Sequence, residues 1–210
     1  MVIKRYGIRL IRLREADIET VRQWRNAPHI RNFMEYREYI TPAMQQKWFR
    51  SLDAVRDFYF IIEYRDKPVG LIHTSGICWE SGTGHSGLFI WEKHLQGSPV
   101  PVLASLSMVD FFFLSCRLHR LYAKIMKANK VAIKYNQRLG FRPIPDDSES
   151  NFQQYVLEKD HYLQASAPLH AMARAFGNEK PELHIENDLL LLLKQQDAFL
   201  PSGLTLMVVN

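Results

Sequence analysis

A chain of 210 residues, 47% hydrophobic and 12% aromatic, has enough apolar side chain for one folded domain, with or without an appendage, and is too apolar to be disordered. Its formal net charge of +5 suits an anionic cofactor or nucleotide, but no basic run marks a nucleic-acid surface. Two cysteines in apolar surroundings, Cys78 and Cys116, an N-terminus without a signal-peptide stretch and a leucine run of only five residues at 189–193 argue against a disulfide framework, a metal site, secretion and a membrane span, and make a reducing cytoplasm the expected compartment.

Residues 8–13 alternate apolar and polar and predict a first strand; residues 16–25 predict a helix. Thr41 and Pro42 form a helix start, threonine as cap and proline in the first turn, for a helix reaching about residue 52. Residues 58–64 read as a strand, 65–68 as a turn, 69–77 as the returning strand and 84–91 as another strand. The helix expected at 102–116 is so dense in large apolar residues that much of its surface should be buried. A strand at 120–126 precedes a helix opened by Asn129, and residues 152–157 close the series as a strand. In the Asn129 helix, Val131, Ala132, Tyr135 and Leu139 recur at helical spacing. Gly140 stands where a left-handed stop is expected, and Phe141 begins the next strand.

After residue 160 the character changes to a helix, a turn at 177–181, a leucine-rich helix and a short apolar end at 204–209. The leucines at 189–193 cover every side of a helix, so something must bury them: their own domain, or a second copy across a dimer interface. The chain thus divides into a domain at 1–160 and a helical extension at 161–210, packed on that domain or on a partner.

The order β, α, α, β, β, β, α, β, α, β, together with an asparagine-capped helix ending in Leu139-Gly140-Phe141, resembles the GNAT (Gcn5-related) acetyltransferases. The resemblance implies an α/β, more closely α+β, fold: a central mixed, mostly antiparallel sheet flanked by helices. It implies acetyl-coenzyme A as co-substrate, a small-molecule amine as acceptor and no metal. Trp24-Arg25-Asn26, Ile30-Arg31, Met34, Ile40 and Trp48-Phe49 resemble one subgroup further. That subgroup contains the N-acetyltransferases of UDP-4-amino sugars used in flagellin glycosylation, and lies near the ribosomal-protein and polyamine acetyltransferases. The implied reaction is acetyl transfer to a nucleotide-linked amino sugar. A polyamine or protein N-terminus as acceptor, and a catalytically silent scaffold of the same fold, stand as alternatives.

Acetyl transfer to an amine needs a neutral amine, a polarised thioester carbonyl and a proton for the leaving thiolate. By the resemblance, Leu88, Phe89 and Ile90 present backbone groups to the pantetheine arm, and Asn129 and Asn136 lie beside the coenzyme. His85 stands where many relatives carry glutamate, and a histidine titrating near neutrality is a reasonable base, directly or through water; a structural strand histidine is the other reading. Glu80 is the nearest carboxylate upstream. Gln96, Gly97 and Ser98 approach a helix start of the kind that holds phosphate oxygens, although Pro99 and Pro101 lack an N–H. Asn136 occupies the position where many relatives place a proton-donating tyrosine, while Tyr135 is turned away by about 100°. Arg25, Asn26, His29 and Arg31 form the expected acceptor wall, because guanidinium forks suit phosphate and the others suit hydroxyls. Plain surface charge at a helix end is the alternative for Arg31.

Overall fold

The computed structural model describes residues 1–146, 149–177, 180–196 and 204–209. A hairpin opens the chain, β1 (Val2–Arg5) and β2 (Ile8–Arg12), turning at Tyr6 and Gly7, both with positive φ. Three helices follow: α1 (Ile18–Asn26), the single turn α2 (Pro28–Arg31) and α3 (Pro42–Arg50). The predicted start of α3 is present, with Thr41 Oγ1 accepting the Met44 N–H at 3.2 Å. β3 (Phe58–Tyr64), β4 (Lys67–Cys78) and β5 (Thr83–Ile90) then form a meander. After α4 (Val100–Asp110) come β6 (Arg120–Met126), α5 (Lys130–Arg138), the short β7 (Arg142–Pro143) and β8 (Phe152–Glu158). The chain continues through α6 (Lys159–Ala173), β9 (Glu182–Glu186), α7 (Asn187–Gln195) and β10 (Thr205–Val209).

The described strands form one sheet in the order β10-β9-β1-β2-β3-β4-β5-β6-β8-β7. It is mixed and mostly antiparallel, with parallel pairing only at β5–β6 and β9–β10. One face carries α4, buried on almost every side, as its predominantly apolar composition requires. A wide turn, 111–115, continues it through three buried phenylalanines. The other face carries the early helices, which enclose a separate apolar cluster of Leu13, Ile18, Val21, Ile30, Ile61, Leu71 and Trp91. Among the described residues no helix is long and apolar enough to cross a membrane.

The structure differs from the sequence reading at both ends. β1 is an additional strand, and residues 161–210 hold two strands as well as helices, so the extension is not purely helical. β9 pairs antiparallel with β1, Ile3 opposite Leu183. Its five residues, Glu182-Leu183-His184-Ile185-Glu186, do alternate polar and apolar, a strand signal overshadowed by the leucine run of α7 that follows at once. The turn expected at 177–181 includes residues 178 and 179, which lie outside the described residues. In α7, Leu190 and Leu193 are buried while Leu191 and Leu192 are exposed, so the leucines do not all demand cover.

Cutting the chain after Asp160 removes β9 from the edge of β1 and uncovers Ile3, which is 1% exposed in the intact chain. Burying such a side chain is worth about 1.5–3 kcal/mol, and an unpaired apolar edge favours association. We expect the truncated protein to aggregate in size-exclusion chromatography with light scattering. A soluble fragment with an unchanged melting temperature would show the segment to be dispensable.

Candidate active site

β5 and β6 share a ladder over three residue pairs only, Thr83, Gly84 and His85 against Arg120, Leu121 and Tyr122. Beyond them residues 86–90 stay paired with β4 and residues 123–126 with β8. The two strands therefore part at His85 and leave a wedge between them.

Alternation decides which backbone groups face the wedge. The Trp91 N–H donates to the Val69 carbonyl at 3.0 Å, so residues 91, 89 and 87 direct their backbone at β4 and residues 88 and 90 direct theirs outward. The Ile90 carbonyl accepts from Gln96 Nε2 at 2.9 Å. Leu88 is left with N–H and carbonyl toward the wedge. Phe89 turns its backbone to β4 and its ring toward Trp91, at 6.2 Å between centroids.

At the wide end of the wedge α4 meets α5. Asn129 caps α5, its Oδ1 accepting the Ala132 N–H at 3.0 Å, and Gly140 ends it at φ +103°, both as predicted. Val131 is 79% exposed and does not belong to the apolar face, which is formed by Ala132, Ile133, Tyr135 and Leu139. The Tyr135 hydroxyl donates to the Pro101 carbonyl at 2.8 Å and lies 2.6 Å from Ser105 Oγ. Burial raises its pKa, so Tyr135 is a strut between helices rather than an acid. Asn136 donates Nδ2 to the Ala132 carbonyl at 2.8 Å, which holds its amide on its own helix and brings no acidic proton to the wedge.

The loop before α4 uses its own polar side chains. Besides the Gln96 bond, Ser98 Oγ donates to the Leu95 carbonyl at 2.7 Å and accepts from the Val100 N–H at 3.2 Å. The N–H groups of Gly97 and Val102 have no hydrogen-bond partner among the described residues. Gly97 stands in the open, where an added Cβ would meet nothing within 4 Å.

On the face covered by the early helices, Tyr59 of β3 lies opposite His73 of β4, His73 opposite Gly87 of β5, and Ser75 opposite His85. A bulge between Ser75 and Cys78 places Gly76 at φ +58°, a conformation glycine adopts without penalty. The exposed His85 ring lies over it, with Cδ2 3.7 Å from where a Cβ would stand. The same ring tilts against Tyr122 at 5.7 Å, at the apex of the wedge. Glu80 is exposed in the β4–β5 turn, and its charge acts on Cys78 and not on His73.

The expected acceptor wall is brought together only in part. Arg25 reaches the site: burial lowers its pKa against the pull of Tyr59, and its Nη1 is buried without a hydrogen-bond partner among the described residues. Asn26 instead clamps the chain, Oδ1 accepting the Ile40 N–H and Nδ2 donating to the Ile40 carbonyl, each at 2.8 Å. It is therefore not free for a substrate hydroxyl. His29 lies edge-on to Trp24 at 6.2 Å, with Nε2 3.4 Å from the Trp91 carbonyl. Trp24 and Trp91 stack at 5.9 Å and form the wall behind it. The Arg31 side chain has no hydrogen bond or ion pair among the described residues, in keeping with the surface-charge reading.

Three further residues, Tyr59, His73 and Ser75, line the site without standing out in the sequence. The His73 ring stacks on Tyr59 at 4.7 Å, its Nδ1 lies 3.1 Å from Ser75 Oγ, and Tyr59 shares a hydrogen bond with the same serine. Burial and the charges of His85 and Arg25 push His73 down to about 4, against the opposing pull of Asp57. The sequence signal is slight: His73 is a polar break in a strand whose alignment with Gly87 and Tyr59 appears only in the folded sheet. Among the described residues no three His, Cys, Asp or Glu side chains converge as a metal site would require.

The family model for the acetyltransferase (GNAT) domain matches residues 8–142. No curated protein matches the chain. Several solved structures share the fold. Apo FdhC, described as a nucleotide-linked sugar GNAT, is 19% identical with a TM-score of 0.66, over 84% of this chain and 99% of that one. Mycobacterium smegmatis RimJ in complex with CoA-disulfide is 18% identical with a TM-score of 0.65, over 83% and 94%. The spermidine N-acetyltransferase of Vibrio cholerae, in complex with CoA and spermine, is 15% identical with a TM-score of 0.65, over 75% and 98%. The family match spans more than half the chain and includes every strand and helix that frames the wedge, so this protein belongs to the GNAT acetyltransferases.

Proposed function

We propose that the chain is an N-acetyltransferase that moves an acetyl group from acetyl-coenzyme A to a primary amine on a nucleotide-linked amino sugar. The observation that carries this reading is the wedge between β5 and β6 with an exposed histidine at its apex. The residues present suit the coenzyme. The outward N–H and carbonyl of Leu88 suit the pantetheine amides, flanked by Ile90. The unpartnered N–H groups of Gly97 and Val102 at the start of α4 suit phosphate oxygens, with fewer donors than a proline-free turn offers. Asn129 and Asn136 face the same side of α5. Acetyl-coenzyme A supplies the acyl group as an activated thioester.

On the acceptor face the unpartnered Arg25 Nη1 asks for an oxygen, and a phosphate or hydroxyl of the acceptor meets that need. A cation so close also favours the neutral, nucleophilic form of an amine and disfavours a polycation. This weighs for a sugar nucleotide over a polyamine, and the FdhC likeness points the same way. His85 carries the amine proton out to solvent, whether that proton reaches it directly or by relay, because its exposure gives the proton an outlet. Two free cysteines suit a reducing cytoplasm. Exposed Leu191, Leu192, Met207 and Val208 offer a surface for a homodimer, which sedimentation velocity reads directly.

Calorimetric titration with acetyl-coenzyme A, followed by acetylation assays with a UDP-linked 4-amino sugar and with spermidine, tests the reading. Saturable binding and faster transfer to the sugar nucleotide are expected. No binding at millimolar ligand would favour a silent scaffold, and a preference for spermidine would overturn the acceptor assignment.

A further inference from the structure

The acceptor face holds a second histidine to which the reading above gives no part. We infer that His73 is the group that receives the N–H of the incoming amine, with Ser75 and Tyr59 fixing its ring and His85 passing the proton outward. This rests on the acetyl-transfer reading of the same wedge.

The geometry sets the ring in place. His73 stands opposite Gly87 in the β4–β5 register, two residues along β5 from His85. Its Nε2 lies over that glycine so closely that a Cβ there would come within 2.4 Å. Only glycine leaves room for the ring to lie across β5 beside the wedge. The other nitrogen is occupied, since Nδ1 faces Ser75 Oγ at 3.1 Å and Tyr59 stacks beneath. With the Nδ1 proton assigned to the bond with the serine, the Nε2 lone pair is the acceptor, and Nε2 has no hydrogen-bond partner among the described residues.

The groups facing His73 are Tyr59 and Asp57 from β3 and the turn before it, Arg25 from α1, Ser75 on its own strand and His85 on β5. Burial, His85 and Arg25 disfavour its charged form and only Asp57 favours it. The ring is thus a neutral acceptor that does not retain a proton. When the amine nitrogen bonds to the acyl carbon, the carbon–sulfur bond breaks. The nitrogen gives one proton to His73 Nε2, which relays it to His85 and water, and the departing sulfur takes a proton from water. The proton moves from the half-buried histidine to the exposed one, the direction in which solvation of the charge improves.

The test uses the full chain with the fastest acceptor among a UDP-linked 4-amino sugar, spermidine and a peptide with a free N-terminus. His73→Ala should lower kcat by about 10²–10⁴-fold with acetyl-coenzyme A affinity unchanged. Added imidazole should restore part of the turnover in His73→Ala and none in His73→Gln, a distinction that a packing role would not produce. Wild-type kcat in His73→Gln, or a loss that follows coenzyme affinity, would overturn the inference and leave the acetyl-transfer reading standing. A wild-type chain that acetylates none of the three acceptors would overturn both.

Discussion

Asp110→Ala should lower the stability of the chain by about 3–5 kcal/mol, a fall of roughly 6–20 °C in melting temperature. Asp110, at the end of α4, is 3% exposed. Its carboxylate pairs with Arg5 of β1, accepts from the Tyr162 hydroxyl at 2.5 Å and lies 3.5 Å from His170 Nε2. The Tyr6 hydroxyl lies 2.9 Å from the other nitrogen of His170. One buried acid therefore ties α6 to α4 and β1. Removing it strips the counter-charge from an Arg5 that is itself only 9% exposed. Burial pushes the Asp110 pKa up, but the bonds from His170 and Tyr162 and the charge of Arg5 outweigh it and hold the carboxyl below its ordinary value. A depressed carboxyl contributes stability that is complete above its unfolded value of about 3.9 and is lost as pH falls through the lower folded value. Thermal melts from pH 7 down to pH 2 should show wild type losing its advantage over Asp110→Ala only at the acid end. The double variant Arg5→Met, Asp110→Leu should regain much of the loss, because an apolar pair of similar volume leaves no stranded charge. A double variant no more stable than Asp110→Ala would show that the ion pair is not the source of the effect.

What was legible in the sequence was local. Asn129 and Gly140 mark the ends of α5 because a cap and a left-handed stop depend on neighbouring backbone. Thr41 and Pro42 mark α3 for the same reason, and the density of apolar residues in α4 marks its burial. What was hidden was pairing across the chain. β1 and β9 are short strands that pair with each other across 180 residues, in register at Ile3 and Leu183. Asn26 reads as a substrate ligand until the fold brings Ile40 onto both ends of its amide. Gln96 and Ser98 read as phosphate ligands until the loop closes on them. His73 gains meaning only from Gly87 and Tyr59 on either side of it, and that register is a property of the sheet.

His85→Ala should reduce kcat by about 10²–10⁴-fold while leaving acetyl-coenzyme A affinity near the wild-type value. The residue sits where β5 and β6 part, with its ring over Gly76 and against Tyr122. The backbone of Leu88 and the N–H groups of Gly97 and Val102, which suit the coenzyme, are untouched by the substitution. A second consequence is electrostatic and needs no turnover to be seen. The charge of His85 is one of the forces that hold His73 down to about 4; Arg25 adds to it and Asp57 opposes it. Without His85, the His73 pKa should rise toward its ordinary value of about 6.5, with burial still holding it below that value. If His73 must be neutral to accept the amine proton, any residual turnover of His85→Ala should lose its acid limb at a higher pH than the limb belonging to His73 in wild type. NMR titration of the His73 ring, in wild type and in the variant, measures the shift directly. An unmoved His73 titration would separate the two histidines electrostatically, and an unchanged pH–rate profile in His85→Ala would remove His85 from the proton path and leave water as its replacement.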